Sequence, residues 1–162
     1  MSPRLTVAIC THNRYATLRD SVDTLLASRG FAQARSQGAD CELLVVDNTP
    51  AALRRALPIP ERADIRATVC ETQGLSHARN HAVEHSRGEV IAFLDDDALV
   101  CDDWCEHILS RMATTPDLLA CGGKVAPQYE GETMPAWYDD SLAGHLSCID
   151  WSPTPRFLRA GE

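Results

Sequence analysis

The chain has little or none of what marks several large protein classes. It contains no GxGxxG motif, no CxxC pair and no apolar run long enough to cross a membrane. Basic residues are also scarce, since 15 Lys and Arg stand against 23 Asp and Glu, a net charge of -8. These absences argue against a dinucleotide-dependent dehydrogenase, a membrane-spanning protein and a protein that binds nucleic acid through its phosphates.

The N-terminal residues also lack the apolar h-region and the small-residue cleavage site of a secretion signal. With 162 residues, 44% of them apolar, the chain has the size and composition of a globular domain. We therefore expect a cytoplasmic protein, either free or peripheral at the inner face of a membrane.

Seven cysteines are present, which is an odd number. Cys10, Cys41 and Cys70 lie in or beside strand-like runs, so we interpret them as reduced thiols that pack like small apolar side chains. Cys101 and Cys105 are one helical turn apart, but no second pair of ligands accompanies them, which disfavours a zinc site there.

Apolar, strand-like runs alternate with helical patterns through the first two-thirds of the chain. Strands are predicted over residues 5–10, 41–46, 65–71 and 89–94, with a fifth over 118–125. Helices are predicted from an N-cap at Asn13, over 51–56, over 76–86 and from Asp102, with a loop over 30–40. Continuous apolar strands separated by helices indicate an α/β fold, with a mostly parallel sheet covered by helices on both faces.

Residues 1–126 form the predicted sheet domain, and 127–162 are predicted to be an irregular segment that leads away from it. In parallel sheets of this kind, ligands bind at the carboxyl ends of the strands. The predicted strands are followed there by a set of polar side chains: Thr11, His12, Asn13, Arg14, Asp47, Asp95, Asp96 and Asp97.

Three consecutive aspartates, Asp95, Asp96 and Asp97, follow the most apolar predicted strand. Alternate residues of an extended strand share a face about 6.6 Å apart, so we expect Asp95 and Asp97 on one side and Asp96 on the other. No Lys or Arg lies nearby in the sequence to balance three carboxylates. A divalent cation such as Mn²⁺ or Mg²⁺, shared with a phosphate-bearing ligand, is the predicted compensation. The alternative is an acidic turn that caps the next helix.

The other polar positions each have a binding and a structural interpretation. Thr11, His12 and Asn13 offer a hydroxyl, a flat ring and an amide to a nucleoside, or else they cap the following helix. Asp47 either accepts a hydrogen bond from a base or ribose, or caps a turn. Arg79 either contacts a base or diphosphate, or is solvated.

A histidine stripe lies on the predicted helix over 76–86. His77, His81 and His85 are spaced i, i+4 and i+8, so they share one helix face. Two imidazoles at this spacing can bind Zn²⁺, although such a stripe more often marks a solvated face.

Four segments in this order and spacing resemble the family 2 glycosyltransferases, which have the GT-A fold. The resemblance covers residues 4–125. The segments, by residue number, are Thr11 to Arg14 after an apolar strand, Leu44 to Asn48, Gly74 to Asn80, and Gly88 to Asp97 with its Asp-x-Asp (DXD) motif.

The resemblance implies a transferase that moves a sugar from a nucleotide-diphosphate donor, most simply a UDP-sugar, to an acceptor hydroxyl with inversion. The acceptor is a saccharide, a lipid or a small molecule. The resemblance implies metal ligation by Asp97 with Asp95. It further implies that the nucleotide sugar contacts a larger set of residues: Thr11, His12, Asn13, Arg14, Asp47, Arg79, Asp95 and Asp96.

Two positions depart from the family pattern, since Cys10 stands where a proline is frequent and His12 where a tyrosine is frequent. The catalytic base of the family is an acid well downstream of the metal site. None of Asp139, Asp140, Asp150 and Glu162 has that setting, so we expect the base, and the acceptor half of the fold, beyond residue 162. A non-catalytic nucleotide-binding module therefore remains an alternative, as does a nucleotidyltransferase, which would require a glycine-rich basic loop after the first strand.

Overall fold

The structure is a computed structural model that describes residues 4–36, 41–128, 135–150, 152, 154 and 155. The contacts of the chain divide it into two compact units, Met1–Pro116 and Asp117–Glu162. The predicted division of the chain into residues 1–126 and 127–162 stays a prediction. No helix among the described residues has both the length and the apolar character that crossing a membrane requires.

The first unit contains a four-stranded parallel sheet in the order β3–β2–β1–β4. Its strands are β1 (Leu5–Thr11), β2 (Cys41–Asp47), β3 (Ile65–Val69) and β4 (Val90–Asp95). Its helices are α1 (Tyr15–Ala27), α2 (Arg29–Ser36), α3 (Leu75–His85) and α4 (Trp104–Thr114). The register sets Thr11 beside Asp47 and Cys10 beside Asp95, so the carboxyl ends of three strands lie level.

Helices cover both faces of this sheet, as predicted for the α/β class. Alternate residues of β1 point to opposite faces, so Val7 and Ile9 enter one core and Ala8 the other. On the first face, α1, α2 and α4 pack through Leu18, Val22, Leu25, Phe31 and Cys105. On the second face, α3 packs on Ala8 and Leu44 through Ala78 and Ala82. These two alanines let α3 approach the sheet closely.

The helix α2 lies where the sequence predicts a loop. The hydroxyl of Ser28 accepts a hydrogen bond from the Phe31 amide at 3.4 Å, and Phe31 is fully buried. The amide of Gly30 donates to the Asp102 carbonyl at 2.8 Å, next to the start of α4. A side chain at Gly30 would come within 3.2 Å of the Glu106 amide. Gly30 therefore allows α2 and α4 to pack closely, and it lies inside a helix instead of a loop.

The start of α1 also differs from the prediction. The N-cap is Arg14, without a capping side chain, and not Asn13. Asn13 has φ of 57°, and its amide donates to the Thr49 hydroxyl at 2.8 Å. Asparagine is one of the few residues that adopt this left-handed backbone readily. The predicted helix over 51–56 is also shorter, a 3₁₀ turn over Ala51–Leu53.

The second unit has little regular structure among its described residues. The strand predicted over 118–125 is wrong, because only Val125 pairs there, in a single antiparallel bridge with Ile149. Leu119 is 96% exposed, which no strand core would allow. A 3₁₀ helix spans Asp140–Leu146, and the Asp139 carboxylate caps it by accepting from the Ser141 amide at 2.9 Å.

Candidate functional site

Polar side chains gather at the carboxyl edge of the sheet, where β1, β2 and β4 end level. In parallel sheets the ligand site lies at the carboxyl ends of the strands. Here the turns that follow these strand ends carry the polar residues. We call this group the carboxyl-edge cluster; it contains Thr11, Arg14, Tyr15, Asp47, Arg54, Arg79, Asp95, Asp96 and Asp97.

Asp96 is the buried one of the three consecutive aspartates, with 6% of its surface exposed. The hydroxyl of Thr11 donates to its Oδ2 at 2.7 Å. Burial raises the pKa of Asp96, while the Thr11 hydrogen bond and the nearby Arg14 guanidinium act to lower it. Asp96 therefore links the turn after β4 to the end of β1.

Arg14 joins two of the three aspartates. Its guanidinium lies 3.3 Å from Asp96 Oδ1 and 2.6 Å from Asp97 Oδ2. The hydrogen bond to Asp97 raises the pKa of Arg14. A basic side chain that is distant in the sequence thus balances part of this charge, because Arg14 is 83 residues from Asp97 in the chain but in contact with it. Asp97 keeps 46% of its side chain exposed.

Asp95 pairs with a different arginine. The Arg79 guanidinium from α3 lies 3.2 Å from Asp95 Oδ1, and it also covers the Phe93 ring at 5.7 Å from the ring centroid. Asp95 is 67% exposed on its side chain. Strand periodicity does not govern Asp97, because β4 ends at Asp95 and the next two residues form a turn. As a result, Asp96 and Asp97 both contact Arg14, whereas Asp95 contacts Arg79.

Asp47 is nearly enclosed at the end of β2. Its Oδ1 accepts from the Thr49 amide at 2.9 Å, and its Oδ2 accepts from the Tyr15 hydroxyl at 3.1 Å. Arg54 Nε lies 4.0 Å from Asp47 Oδ2. The other two guanidinium nitrogens of Arg54 donate to the Glu71 carboxylate oxygens at 3.0 and 3.2 Å. Only 2% of the Asp47 side chain is exposed.

An open pocket of about 240 Å³ lies beside Asp47. Its lining combines Arg54 and Arg55 with residues of β3, among them Thr68 and Val69. Arg54 Nε is buried there and has no hydrogen-bond partner among the described atoms. Because a buried donor without a partner is costly, this atom favours a ligand acceptor or water at that position.

Asn48 organises the turn beneath His12. Its side-chain amide donates to the Cys70 and Thr72 carbonyls at 2.7 and 2.8 Å, and its oxygen accepts from the Gly74 amide at 2.9 Å. Nδ1 of His12 is 3.0 Å from the Asn48 carbonyl, and the ring itself is exposed. The imidazole is therefore held at the surface of the site by its own hydrogen bond.

Cys10 also borders the cluster, at the position where the family pattern often has proline. Burial raises the pKa of its thiol to about 11, against the opposing effect of Arg79. Cys10 is thus a neutral thiol at physiological pH and no nucleophile. Cys41 and Cys70 are buried thiols, as predicted.

The residues present fit a divalent cation of the Mg²⁺ or Mn²⁺ class. Such ions take carboxylate oxygens from one or two side chains and complete their shell with water and phosphate. Asp95 and Asp97 offer exposed carboxylates, whereas Asp96 is committed to Thr11. Both exposed carboxylates are held by arginines that a bound anion would attract.

Tyr15, Arg54 and Arg55 are residues of the site that the sequence interpretation missed. Tyr15 follows directly on Arg14, and the Arg54-Arg55 pair follows the turn after β2. Two adjacent arginines just beyond a strand end in an acidic chain were the available signal.

Comparison with known proteins gives concordant matches. A sequence model of Glycosyl transferase family 2 matches residues 6–157. A protein of Haloferax volcanii named glucosyl-dolichyl phosphate glucuronosyltransferase is 29% identical over 150 residues, which are 90% of this chain and 45% of that protein. The succinoglycan biosynthesis protein ExoM of Rhizobium meliloti is 33% identical over 135 residues, which are 81% of this chain and 41% of that protein. The chain thus spans less than half the length of these relatives.

The fold has a counterpart among solved structures. The crystal structure of S. aureus TarS 1-349 superposes with a TM-score of 0.54 at 17% identity, covering 77% of this chain and 38% of that chain. A likeness at this identity concerns the fold alone. It agrees with the GT-A type of parallel sheet with helices on both faces that the sequence predicts.

Proposed function

The chain belongs to glycosyl transferase family 2, and on that premise we propose that it binds a nucleotide-diphosphate sugar, most simply a UDP-sugar, for inverting transfer to an acceptor hydroxyl. The acceptor is a saccharide, a lipid or a small molecule. The observation that supports the proposal most is the pairing of two exposed aspartates with two arginines at the carboxyl edge of a parallel sheet. A diphosphate with a divalent cation is complementary to these pairs, because the arginines can bind the anion and the aspartates can bind the cation.

The family match favours this reaction over the nucleotidyltransferase alternative. The absence of a glycine-rich loop agrees, because Thr11 leads through only three residues into α1. The cytoplasm, free or at the inner face of a membrane, is the proposed location, and buried thiols such as Cys41 and Cys105 suit a reducing compartment.

We assign the nucleoside to the pocket beside Asp47, which Arg54 and Arg55 line. His12 and Asn13 border the same edge and are proposed to contact the nucleoside. Asp47 is proposed to accept a hydrogen bond from the base or the ribose, which replaces the hydrogen bond from the Tyr15 hydroxyl. Thr11 and Asp96 act as positioning residues, because both are buried and bonded to each other.

The two arginines are proposed to exchange partners when the donor binds. Arg14 leaves Asp97 and Arg79 leaves Asp95, and each guanidinium turns to the donor's diphosphate, which it can bind through two N–H groups. Each arginine has an anionic partner before and after the exchange, so the exchange costs little electrostatic energy. It frees the carboxylates of Asp97 and Asp95 for Mn²⁺ or Mg²⁺.

When bound, the cation would act as a Lewis acid that neutralises the diphosphate as it leaves. Asp95 is also proposed to accept a hydrogen bond from a ribose hydroxyl. The acceptor hydroxyl attacks the anomeric carbon opposite the leaving diphosphate, so the C–O bond to the diphosphate breaks as the new one forms, and a general base takes the hydroxyl proton.

The metal role is tested by calorimetric titration of UDP into the chain with and without Mn²⁺. An opposite charge near 4 Å is worth roughly 1 to 4 kcal/mol at a protein surface, so Mn²⁺ is expected to tighten UDP binding by about tenfold or more. In Asp97→Ala the Mn²⁺ effect disappears. Without metal, however, the variant binds UDP at least as tightly as the wild type, because Arg14 has lost one of its two carboxylate partners.

The matched control is Asp23→Ala, which removes an exposed carboxylate of α1 and leaves the Mn²⁺ effect intact. Equal UDP affinity with and without Mn²⁺ in the wild type would refute the metal role. Weaker metal-free binding in Asp97→Ala would refute the exchange of partners by Arg14.

A further inference from the structure

The helix α3 carries a second group of metal-ligating side chains outside the carboxyl-edge cluster. Ligand atoms of His81, Glu84 and His85 all lie within 4.8 Å of one another. Their spacing, i, i+3 and i+4, places them on adjacent turns of one helix face. His77, the third histidine of the predicted stripe, is not part of this group among the described residues.

Both imidazoles are oriented by a hydrogen bond through one nitrogen. Nδ1 of His85 is 2.9 Å from the His81 carbonyl, and Nε2 of His81 is 2.9 Å from the Thr68 hydroxyl. A carbonyl only accepts, so Nδ1 of His85 carries the proton and Nε2 keeps its lone pair. Histidines that bind metal are held in this way, with the second ring nitrogen donating to a carbonyl or another oxygen.

The rings of His81 and His85 already lie together, with centroids 3.9 Å apart and planes at 20°. Glu84 is exposed and adds a carboxylate to the two imidazoles. The nearby Arg66 guanidinium is paired with Glu42 at 2.9 Å, so its positive charge is balanced. Two imidazoles and one carboxylate form a common ligand set of zinc sites that keep a position for water.

This group is separate from the aspartates at the end of β4. Arg79, which pairs with Asp95, precedes His81 by two residues, which is about 200° around the helix axis. The ligand chemistry differs too. Imidazole nitrogen suits Zn²⁺ and its neighbours in the first transition series, whereas carboxylates with water suit Mg²⁺ and Mn²⁺.

We propose that His81, Glu84 and His85 bind a transition-metal ion of the zinc class, at a site distinct from the proposed donor site. The ion joins two turns of α3, and through the Thr68 hydrogen bond it ties α3 to β3. The proposal does not depend on the transferase function.

The test is calorimetric titration of Zn²⁺ into the full chain of residues 1–162 with excess Mg²⁺ present, so that the aspartates are occupied by a hard cation. One Zn²⁺ per chain is expected. Since even loss of an outer hydrogen-bond partner weakens metal sites by about tenfold or more, His85→Ala and Glu84→Gln are expected to weaken Zn²⁺ binding by at least that factor. Circular dichroism checks that the exposed substitutions leave the fold intact.

His77→Ala is the matched control, because it removes an exposed histidine of the same helix and should change Zn²⁺ affinity less than about twofold. A second readout is the visible spectrum with Co²⁺ in place of Zn²⁺. Nitrogen and oxygen ligation supports the proposal, and an intense thiolate charge-transfer band overturns it, because it would assign the metal to exposed cysteines such as Cys101 or Cys121. Absence of binding, or equal binding by wild type and His85→Ala, overturns it as well.

Discussion

At the residue scale, each of the three adjacent carboxylates at the carboxyl edge has a hydrogen-bonding or ionic partner, and Arg14 contacts both Asp96 and Asp97. Asp96 receives a hydroxyl from Thr11, Asp97 receives a guanidinium from Arg14, and Asp95 is left to Arg79. The buried Asp96 accepts a hydrogen bond from an uncharged hydroxyl, and the exposed Asp95 and Asp97 pair with arginines that are themselves half exposed. Only the exposed pairs can open easily, since surface ion pairs contribute little to stability.

The hydrogen bond from Thr11 to Asp96 predicts the effect of Thr11→Val. The substitution keeps the shape but leaves a buried carboxylate oxygen without its donor, so the free energy of unfolding should fall by about 1–3 kcal/mol at pH 7. Urea denaturation measures this. Thr114→Val is the control, because the Thr114 hydroxyl is exposed at the end of α4, and it should change stability by less than about 0.5 kcal/mol.

The same variant has a predictable pH dependence. Burial already raises the pKa of Asp96 above its ordinary value, and loss of the Thr11 donor raises it further. A carboxyl whose pKa is raised in the folded state destabilises when ionised, and this cost is relieved as pH falls through the folded pKa. The stability difference between Thr11→Val and wild type should therefore shrink toward acid pH. A difference that grew toward acid pH would contradict the assignment.

At the element scale, the two ends of the sheet differ. The carboxyl ends of the strands carry the candidate site, while a buried carboxylate holds the strands together near their amino ends. Glu42 accepts from the Thr6 hydroxyl at 2.8 Å and from the Arg87 amide at 2.9 Å. The Thr6 hydroxyl in turn accepts from the Gly88 amide at 2.9 Å. The turn from α3 into β4 thus lies directly against β1, and this sets the position of the aspartates at the far end of β4.

The contact at Gly88 predicts that Gly88→Ala is destabilising. A Cβ there would meet the Thr6 amide at 2.5 Å and the Leu5 carbonyl carbon at 2.8 Å, both backbone atoms of β1 that cannot turn away. Overpacking of this kind costs about 1–3 kcal/mol, measured by urea denaturation. Gly122→Ala is the matched control, because a Cβ at Gly122 would meet nothing within 4 Å. Equal denaturation midpoints for both variants would show that β1 and the turn adjust freely.

The sequence predicts the four strands and their common edge because each is a local pattern. An apolar run followed directly by acids, as before Asp95, is visible without any partner. The helix α2 was not predictable, because it depends on Gly30 lying against Asp102, 72 positions further along the chain. The sequence analysis named Arg14 and Arg79 as site residues but did not predict their pairing with the aspartates, for the same reason. Side chains that neutralise a charge need only be close in space, and local patterns carry no information about that.

At the scale of the whole molecule, the proposed donor site uses residues of the first unit, and two acids of the second unit, Asp139 and Asp150, are poorly suited to act as a catalytic base. Asp139 accepts from the Ser141 amide and hydroxyl, which lowers its pKa, whereas a general base works best with a pKa near the working pH. Asp150 is paired with Lys124 at 2.6 Å. Relatives that match this chain are more than twice the length of the matched region.

These observations predict that residues 1–162 bind a nucleotide without transferring its sugar. The aspartates and arginines of the first unit are the proposed contacts for UDP and Mn²⁺, whereas neither Asp139 nor Asp150 suits the removal of a proton from an acceptor hydroxyl. Calorimetry should show UDP binding with Mn²⁺, while a coupled assay of UDP release from a panel of UDP-sugars should stay at the rate without protein. Asp97→Ala serves as the control for site-specific binding. UDP release above that rate, lost in Asp97→Ala, would show that the base lies within these residues, and absence of UDP binding would refute the proposed donor site.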